Sequence, residues 1–213
     1  MKNAWNSYKE ELFKRLPALR DTLNEGASKA EIKAVEDKMG INFPEELRTL
    51  YIKNNGDNGS AVCGMILGFD FYDLDELYSE WKGWKDIEEM RDADDNCDPK
   101  RYTSEPEKCI KPHYVNSRWI PICGDGGGNH IGIDLDPDVN GKVGQVINFG
   151  RDEDKKTVLA DSLTSFFERL TRIVKSDDLY IGEFDGENVV FLRLNGEDEV
   201  FQTDYLRHKD SVK

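Results

Sequence analysis

The segment that decides the fold runs from residue 119 to residue 149 and reads WIPICGDGGGNHIGIDLDPDVNGKVGQVINF. Apolar residues in it alternate with polar or small ones, and a period of two is typical of β-strands. In the middle, His130, Gly132 and Asp134 separate two isoleucines and a leucine. The pattern predicts three strands, over residues 119–122, 130–135 and 144–149. We expect them to form a sheet with one buried face, which the rest of the chain covers.

The glycine-rich segment 124–129 joins the first two of these strands. A phosphate-binding loop would need Lys-Ser or Lys-Thr after the last glycine and a helix to follow. Here Asn129 and His130 follow and a strand begins, while Asp125 would repel a phosphate. Asn129 also occupies the third glycine position of a dinucleotide-binding pattern. The segment is therefore predicted to be a tight turn, with no cofactor.

Three aspartates at alternate positions, Asp134, Asp136 and Asp138, resemble the start of a calcium-binding loop. An EF-hand also needs glycine at position six and a bidentate carboxylate at position twelve. Those positions hold Val139 and Gln145. We interpret the aspartates as an acidic turn and predict no metal site.

No set of residues has the spacing of a catalytic site. The three histidines, His113, His130 and His208, are scattered, and no serine lies in a G-x-S-x-G motif. Cys123 precedes the glycine-rich turn, but a nucleophile needs a base within hydrogen-bonding reach. We interpret Cys123 as a buried strand residue and predict that the chain is not an enzyme. An enzyme of unassigned chemistry remains an alternative.

The remaining elements follow from helix periodicity and capping signals. Helices are predicted over residues 5–23 with a break near Leu16 because of Pro17, from Ser28 to Gly40, from Pro44 to Asn54, after Asp73 and after Ser162. A strand is predicted over residues 61–69. Three more strands, over 180–184, 189–194 and 199–203, with turns at Asp185-Gly186 and Asn195-Gly196, predict a C-terminal β-meander. We divide the chain into a core domain, 1–175, and a β extension, 176–213.

Composition limits the function classes. The 213 residues carry a formal net charge of -14, which repels nucleic acid and attracts a basic protein. No apolar run is long enough to cross a bilayer, and the first residues lack the apolar core of a secretory signal. We expect a cytoplasmic protein that is a monomer or weak dimer and binds neither nucleic acid nor membrane.

Segment 82–117 has poor periodicity and is crowded with carboxylates. Its first part is compatible with a continued helix through Ile87 and Met90, and the rest is predicted to be a long surface loop. Two interpretations stay open, a solvated loop or a docking face with aromatic anchors and an acidic rim. The predicted partner-binding residues are Trp81, Trp84, Asp86, Glu88, Glu89, Asp92, Asp94, Asp95, Asp98 and Asp125.

A family resemblance rests on motifs in a fixed order. They are FPEEL at 43–47 followed by Tyr51 and Asn54-Asn55-Gly56, WIPI at 119–122, DGGGNxIxIDLDP at 125–137, GxVGQVI at 141–147, and Ser165-Phe166-Phe167 to Leu170. This order resembles the Smi–Knr cell-wall-assembly-regulator family of the SUKH superfamily, over about residues 5–174. The resemblance implies that 82–117 holds an insertion.

The periodicity and the resemblance together predict an α+β fold. We expect a mostly antiparallel sheet with helices packed on one face and at its ends, plus the C-terminal β extension. Bacterial proteins that resemble this family are mainly immunity proteins, and fungal ones regulate cell-wall assembly through protein partners. The main hypothesis is an immunity protein that occludes the active site of a cognate, basic toxin, such as a nuclease. The alternative is a regulatory scaffold for cell-wall assembly or signalling proteins.

Overall fold

A computed structural model describes residues 1–59, 63–194, 197–200 and 202–207, with the backbone alone for 197–200 and 202–203. The described residues form seven α-helices: α1 Lys2–Arg15, α2 Lys29–Met39, α3 Glu45–Lys53, α4 Leu74–Met90, α5 Ala93–Asn96, α6 Leu163–Lys175 and α7 Gln202–Arg207. They also form nine strands: β1 Asp70–Phe71, β2 Thr103–Glu105, β3 Trp119–Gly124, β4 Asn129–Asp134, β5 Gln145–Gly150, β6 Lys155–Ala160, β7 Leu179–Phe184, β8 Glu187–Leu194 and β9 Glu197–Val200. No described helix has the length and hydropathy needed to cross a membrane.

The main sheet is built around the three predicted central strands. Its order is β1-β3-β4-β5-β6-β2, and every neighbouring pair is antiparallel except β2 with β6. Strands β7, β8 and β9 form a second, antiparallel sheet. The predicted α+β fold with a mostly antiparallel sheet is therefore confirmed.

One face of the main sheet packs against helices, chiefly the neighbouring pair α1 and α6. Aromatic rings fill the interface: the Trp5 ring centroid lies 4.8 Å from that of Phe167 and 5.5 Å from that of Phe71. All three side chains are buried. Each such ring contributes roughly 1.5–3 kcal/mol by burial, and an aromatic pair adds about 1 kcal/mol. The interface is thus the main hydrophobic core.

The other face of the sheet is buried too, so the expected exposed face is wrong. His130 is 2% exposed and Asp134 is 0% exposed, although both lie on the polar side of the alternation. The residues between α4 and β3, which we call the covering segment, lie over this face and bury Tyr102 and Ile110. The predicted continuation of the helix through Ile87 and Met90 is confirmed, because α4 ends at Met90. Residues 91–117 are mostly exposed or half-buried and irregular, as predicted for a surface loop, but they also form α5 and β2. The alternation of apolar and polar residues shows which side chains share a face of the strand. It does not show that the polar face is exposed, because hydrogen bonds allow polar side chains to be buried.

The predicted helix boundaries are confirmed to within one or two residues, except that α1 begins three residues before the predicted start. Helix α1 ends before Pro17, and a 3₁₀ helix follows over Pro17–Asp21. Ser28 closes a capping box at the start of α2, and Gly40 ends that helix in the left-handed region with φ of 67°. Pro44 is the N-cap of α3 rather than its first helical residue.

The strand predicted over residues 61–69 is wrong where the structure describes it, and residues 60–62 lie outside the described part. Residues 63–69 form a tight turn held by isolated bridges, Gly64 to Gly68 and Ile66 to Phe69. Side chains satisfy its backbone: the Tyr8 hydroxyl donates to the Met65 carbonyl at 2.8 Å. A Cβ on Gly64 would lie 2.2 Å from the Phe69 carbonyl group, so only glycine fits this close return.

The C-terminal residues match the prediction in part. Asp185 and Gly186 have φ of 54° and 85°, which confirms a hairpin turn with both residues in the left-handed region. The Asn195-Gly196 turn lies outside the described residues, and residues 202–203 begin α7 instead of ending a strand. The Arg15 guanidinium donates to the carbonyls of Val174 at 3.0 Å and Leu179 at 2.6 Å, which ties α1 to this segment. The division between 1–175 and 176–213 stays a prediction.

The Asp57 carboxylate stabilises the turn over residues 63–69. It accepts hydrogen bonds from the backbone N–H groups of Phe71 at 2.9 Å, Gly59 at 3.1 Å and Met65 at 3.2 Å. Asp57→Ala leaves the buried Phe71 and Met65 N–H groups unsatisfied, each at about 1–3 kcal/mol. We expect urea denaturation to show a loss of roughly 2–4 kcal/mol in unfolding free energy. The exposed Asp21→Ala is the control, and equal midpoints for the two variants would contradict the assignment.

Candidate functional site

His130 is the centre of a polar cluster buried under the covering segment. The Trp84 Nε1–H group donates to His130 Nε2 at 2.7 Å, and the Tyr72 hydroxyl lies 3.1 Å from His130 Nδ1. Because Nε2 accepts a hydrogen bond, we assign the proton of the neutral ring to Nδ1. Nδ1–H then donates to the Tyr72 hydroxyl oxygen, so both ring nitrogens have protein partners.

Burial lowers the pKa of His130 to about 4, against the opposing effect of the Asp125 charge. The imidazole is therefore neutral at pH 7. Glu80 has a carboxylate oxygen 3.7 Å from His130 Nε2, but a neutral ring makes no ion pair with it. A buried, weakly basic imidazole with both nitrogens bonded is poorly suited to general acid–base chemistry.

The glycine-rich turn closes on its own side chains. Asp125 Oδ1 accepts from the N–H groups of Gly127 at 2.7 Å and Asn129 at 3.0 Å, and Asn129 Nδ2 donates to Asp125 Oδ2 at 2.9 Å. Burial raises the pKa of Asp125, but the hydrogen bonds from Asn129 and Gly127 outweigh it, so this pKa lies below its usual range. The turn amides face a protein carboxylate, which confirms the tight turn.

Cys123 is a buried strand residue, as predicted. Its side chain is fully buried, its sulfur lies 4.0 Å from the Ile131 carbonyl oxygen, and burial raises its pKa well above the ordinary value. His130 directs its nitrogens at Tyr72 and Trp84 instead of at this thiol. The pair is not a nucleophile and its base.

The three alternating aspartates do not converge on a common point. Asp134 accepts from Gln145 Nε2 at 2.8 Å, and burial raises its pKa to about 6. Asp136 pairs with Lys111 at 2.6 Å. Asp138 accepts from the Val139 N–H at 2.8 Å. Within the described ranges, no group of three or more His, Cys, Asp or Glu side chains could hold a metal ion.

Lys156 is a buried cation that the sequence did not reveal. It is 1% exposed, and its Nζ lies 5.1 Å from the Tyr102 ring centroid and 5.4 Å from that of Trp119. Nζ donates to the Glu153 carbonyl at 2.9 Å, and burial lowers the lysine pKa to about 8. The two rings stabilise the charge and hold the covering segment to β6. In the sequence this lysine follows Lys155 and resembles a surface residue.

The two predicted aromatic anchors are buried, so they cannot serve as exposed anchors for a partner. Trp81 Nε1 donates to the Ser117 carbonyl at 2.7 Å, and Trp84 binds His130. Both rings sit under the segment that returns to β3. Their spacing of three residues on an amphipathic helix was itself a signal of burial.

The predicted carboxylates divide into two groups. Glu88 accepts from the Ser117 N–H at 3.1 Å, Asp98 accepts from the Lys100 N–H at 2.9 Å, and Asp125 is bonded within its turn, so these three have local structural roles. The others lie on the last turns of α4 and just after it, with Asp86 and Glu89 paired to lysines: Asp86, Glu89, Asp92, Asp94 and Asp95.

The structure adds acidic residues that sequence reasoning missed, namely Asp70, Glu76 and Glu80. Burial raises the pKa of each, and neighbouring carboxylates raise those of Asp70 and Glu76 further. Glu76 and Glu80 are four residues apart and lie on one side of α4. That spacing was visible in the sequence. The acidic surface therefore extends along the whole of α4.

Comparison with known proteins gives one family. The model of the SMI1 / KNR4 family (SUKH-1) matches residues 26–169. A KNR4/SMI1 homolog 2 of Debaryomyces hansenii is 28% identical over 84% of this chain and 35% of its own length. The glucan synthesis regulatory protein of Neurospora crassa is 26% identical over 85% of this chain and 40% of its own length.

A third relative is the cell wall biosynthesis/cell cycle regulator smi1 of Schizosaccharomyces pombe. It is 32% identical over 66% of this chain and 29% of its own length. The chain thus spans between 29% and 40% of these three relatives.

The His130 assignment predicts a distinctive titration. In ¹⁵N–¹H spectra of the imidazole, we expect the neutral Nδ1–H form to persist from pH 7 to about pH 4. Trp84→Phe removes the donor that needs an unprotonated Nε2, so the His130 pKa should rise by roughly one unit. His130→Gln identifies the signals. A His130 pKa that is unchanged by Trp84→Phe would refute a contribution of this hydrogen bond in addition to burial.

Asp134 and His130 should oppose each other in the pH dependence of stability. The raised pKa of Asp134 means that the folded state binds the extra proton, so this stabilisation is lost as pH rises from 3.8 to about 6. Between pH 4 and pH 6.5 the lowered pKa of His130 gives stability that rises with pH.

Asp134→Asn should therefore gain about 3 kcal/mol relative to the parent between pH 4 and pH 7, at roughly 1.4 kcal/mol per pH unit. Denaturation series across this range measure the difference between the two proteins. A constant difference at every pH would show that the Asp134 pKa is not raised.

Proposed function

Since this chain belongs to the SMI1 / KNR4 family (SUKH-1), we propose that it is a non-catalytic protein-binding module that acts as a regulatory scaffold in cell-wall assembly or signalling. The Neurospora crassa and Schizosaccharomyces pombe relatives are named as regulators. Their names favour the regulatory alternative over toxin immunity.

The observation that carries the proposal is the direction in which the polar groups face. Side chains that could take part in chemistry are buried and bonded to other protein groups, as at His130, Cys123 and Lys156. Carboxylates instead face solvent along α4 and after it. An acidic surface of this kind can recognise a protein partner through charge. The buried groups hold that surface in place.

A basic partner fits the charge of the chain. The formal net charge is -14, and Asp92, Asp94 and Asp95 are exposed next to the end of α4. Oppositely charged surfaces speed association, because long-range attraction steers the encounter. We propose that these three carboxylates, with Asp86 and Glu89 on α4, steer the partner toward this side of the molecule.

The experiment is affinity capture by the tagged chain from its source organism, read by quantitative mass spectrometry, then kinetics with the captured protein. The triple variant Asp92→Lys, Asp94→Lys, Asp95→Lys should slow association about 10-fold at low salt and flatten its salt dependence. The dissociation rate should change little.

A matched variant with the same change in net charge separates local steering from overall charge. Glu10→Lys, Asp21→Lys and Glu25→Lys alter exposed residues outside α4 and the segment after it. Equal association rates for the two triple variants would refute the acidic steering surface. Capture of one stoichiometric protein that is toxic when expressed alone, and harmless with this chain, would instead support the immunity hypothesis.

A further inference from the structure

One side of α4 faces solvent at most of its positions. This α4 outer face consists of positions that recur at three- and four-residue steps: Glu76, Ser79, Gly83, Asp86, Ile87 and Met90. Met90 is 85% exposed and Ile87 is 37% exposed. These two large apolar side chains lie one turn apart, and the opposite side of the helix is buried. Together they form a small apolar surface that another helix could contact.

Gly83 has no conformational reason to be glycine. It lies inside a long helix, where glycine is the poorest helix former after proline, and it is not among the described residues with positive φ. A Cβ built on Gly83 would meet no atom within 4 Å. Among the described residues, neither a neighbouring atom nor the backbone conformation therefore requires glycine at position 83. A glycine one turn before Ile87 does lower the helix surface at that point, so a second helix can approach the backbone closely.

Packing on the opposite side of α4 fixes the position of the α4 outer face. Leu77, Trp81 and Trp84 are buried on the opposite side, and Asp73 closes a capping box at the N-terminus of α4. A surface that is already rigid loses little conformational entropy on binding, which favours affinity.

The charges around the α4 outer face define the partner. Six carboxylates and two lysines lie on α4, and the acidic residues after it add to the excess: Asp75, Glu76, Glu80, Asp86, Glu88 and Glu89 against Lys82 and Lys85, then Asp92, Asp94 and Asp95. A second copy of this chain would bring the same negative charge and be repelled. The complementary shape is a helix with an apolar stripe between basic residues.

We propose that the α4 outer face docks a basic amphipathic helix of a partner protein, with Ile87 and Met90 as apolar anchors and Gly83 as the point of close approach. This inference rests on the proposed function and adds the surface and the partner class. It also separates two roles: the carboxylates after α4 steer the encounter, and the α4 outer face holds the complex.

The first test uses a defined probe, a fluorescent 18-residue helical peptide with leucines at i, i+3, i+4 and i+7 spacing and lysines elsewhere. A scrambled peptide of the same composition is the control ligand. We expect the amphipathic peptide to bind at least 10-fold more tightly, with amide chemical-shift changes concentrated on the α4 outer face. Equal binding of the two peptides, or shifts concentrated elsewhere, would overturn the proposal.

Two variants probe the anchors. Met90→Asp removes an apolar contact while it adds negative charge, so weaker binding cannot be caused by lost attraction. Gly83→Leu fills the close approach and also improves helix propensity, so weaker binding cannot be caused by unfolding. We expect each to weaken peptide binding at least 10-fold. Val143→Asp alters an apolar residue that is 71% exposed outside α4, and it should stay within 2-fold of the parent.

The captured partner then separates this inference from the proposed function. If Met90→Asp and Gly83→Leu release a partner that Val143→Asp retains, the α4 outer face is its docking surface. If all three variants retain the partner, the proposed function stands and this inference is wrong. Capture of no partner would count against the proposed function, and the peptide measurements would still decide the inference.

Discussion

The hydrogen bond from Trp84 Nε1–H to His130 Nε2 joins α4 to the middle of the main sheet at 2.7 Å. It lies in the polar layer that makes the second face of the sheet different from an ordinary core. A buried imidazole without partners would be costly, and water cannot reach this one. The covering segment must therefore supply partners of defined geometry as well as apolar surface. Its position follows from that requirement.

The same constraint recurs along the second face. Asp134 is bonded to Gln145, and Lys156 lies between the rings of Tyr102 and Trp119. Buried polar groups of this kind add little net stability compared with apolar packing, but a mismatch costs a full desolvation penalty. They select one arrangement of the cover over others. The helical face, in contrast, is held by ring packing around Trp5 and Phe167.

Local patterns predicted the parts of the fold whose causes are local. The capping box at Ser28, the left-handed end of α2 at Gly40 and the break at Pro17 follow from a few neighbouring residues. Local patterns did not predict the burial of His130, because this burial depends on residues after α4 that are far away in sequence. They also did not predict the turn over residues 63–69, because the distant Tyr8 and the Asp57 side chain satisfy its backbone.

In the candidate site too, local patterns predicted some features and missed others, and the prediction that Trp81 and Trp84 are exposed anchors was wrong. Trp81 and Trp84 were assigned to a partner because aromatic residues beside carboxylates resemble an interface, but their helical spacing placed them inward. A helix has 3.6 residues per turn, so fixing these two rings also fixes which residues face out. Gly83 and Met90 lie opposite Trp81 for that reason. The burial of the tryptophans thus orients the exposed side of α4, so the proposed docking depends on the same residues that hold the covering segment in place.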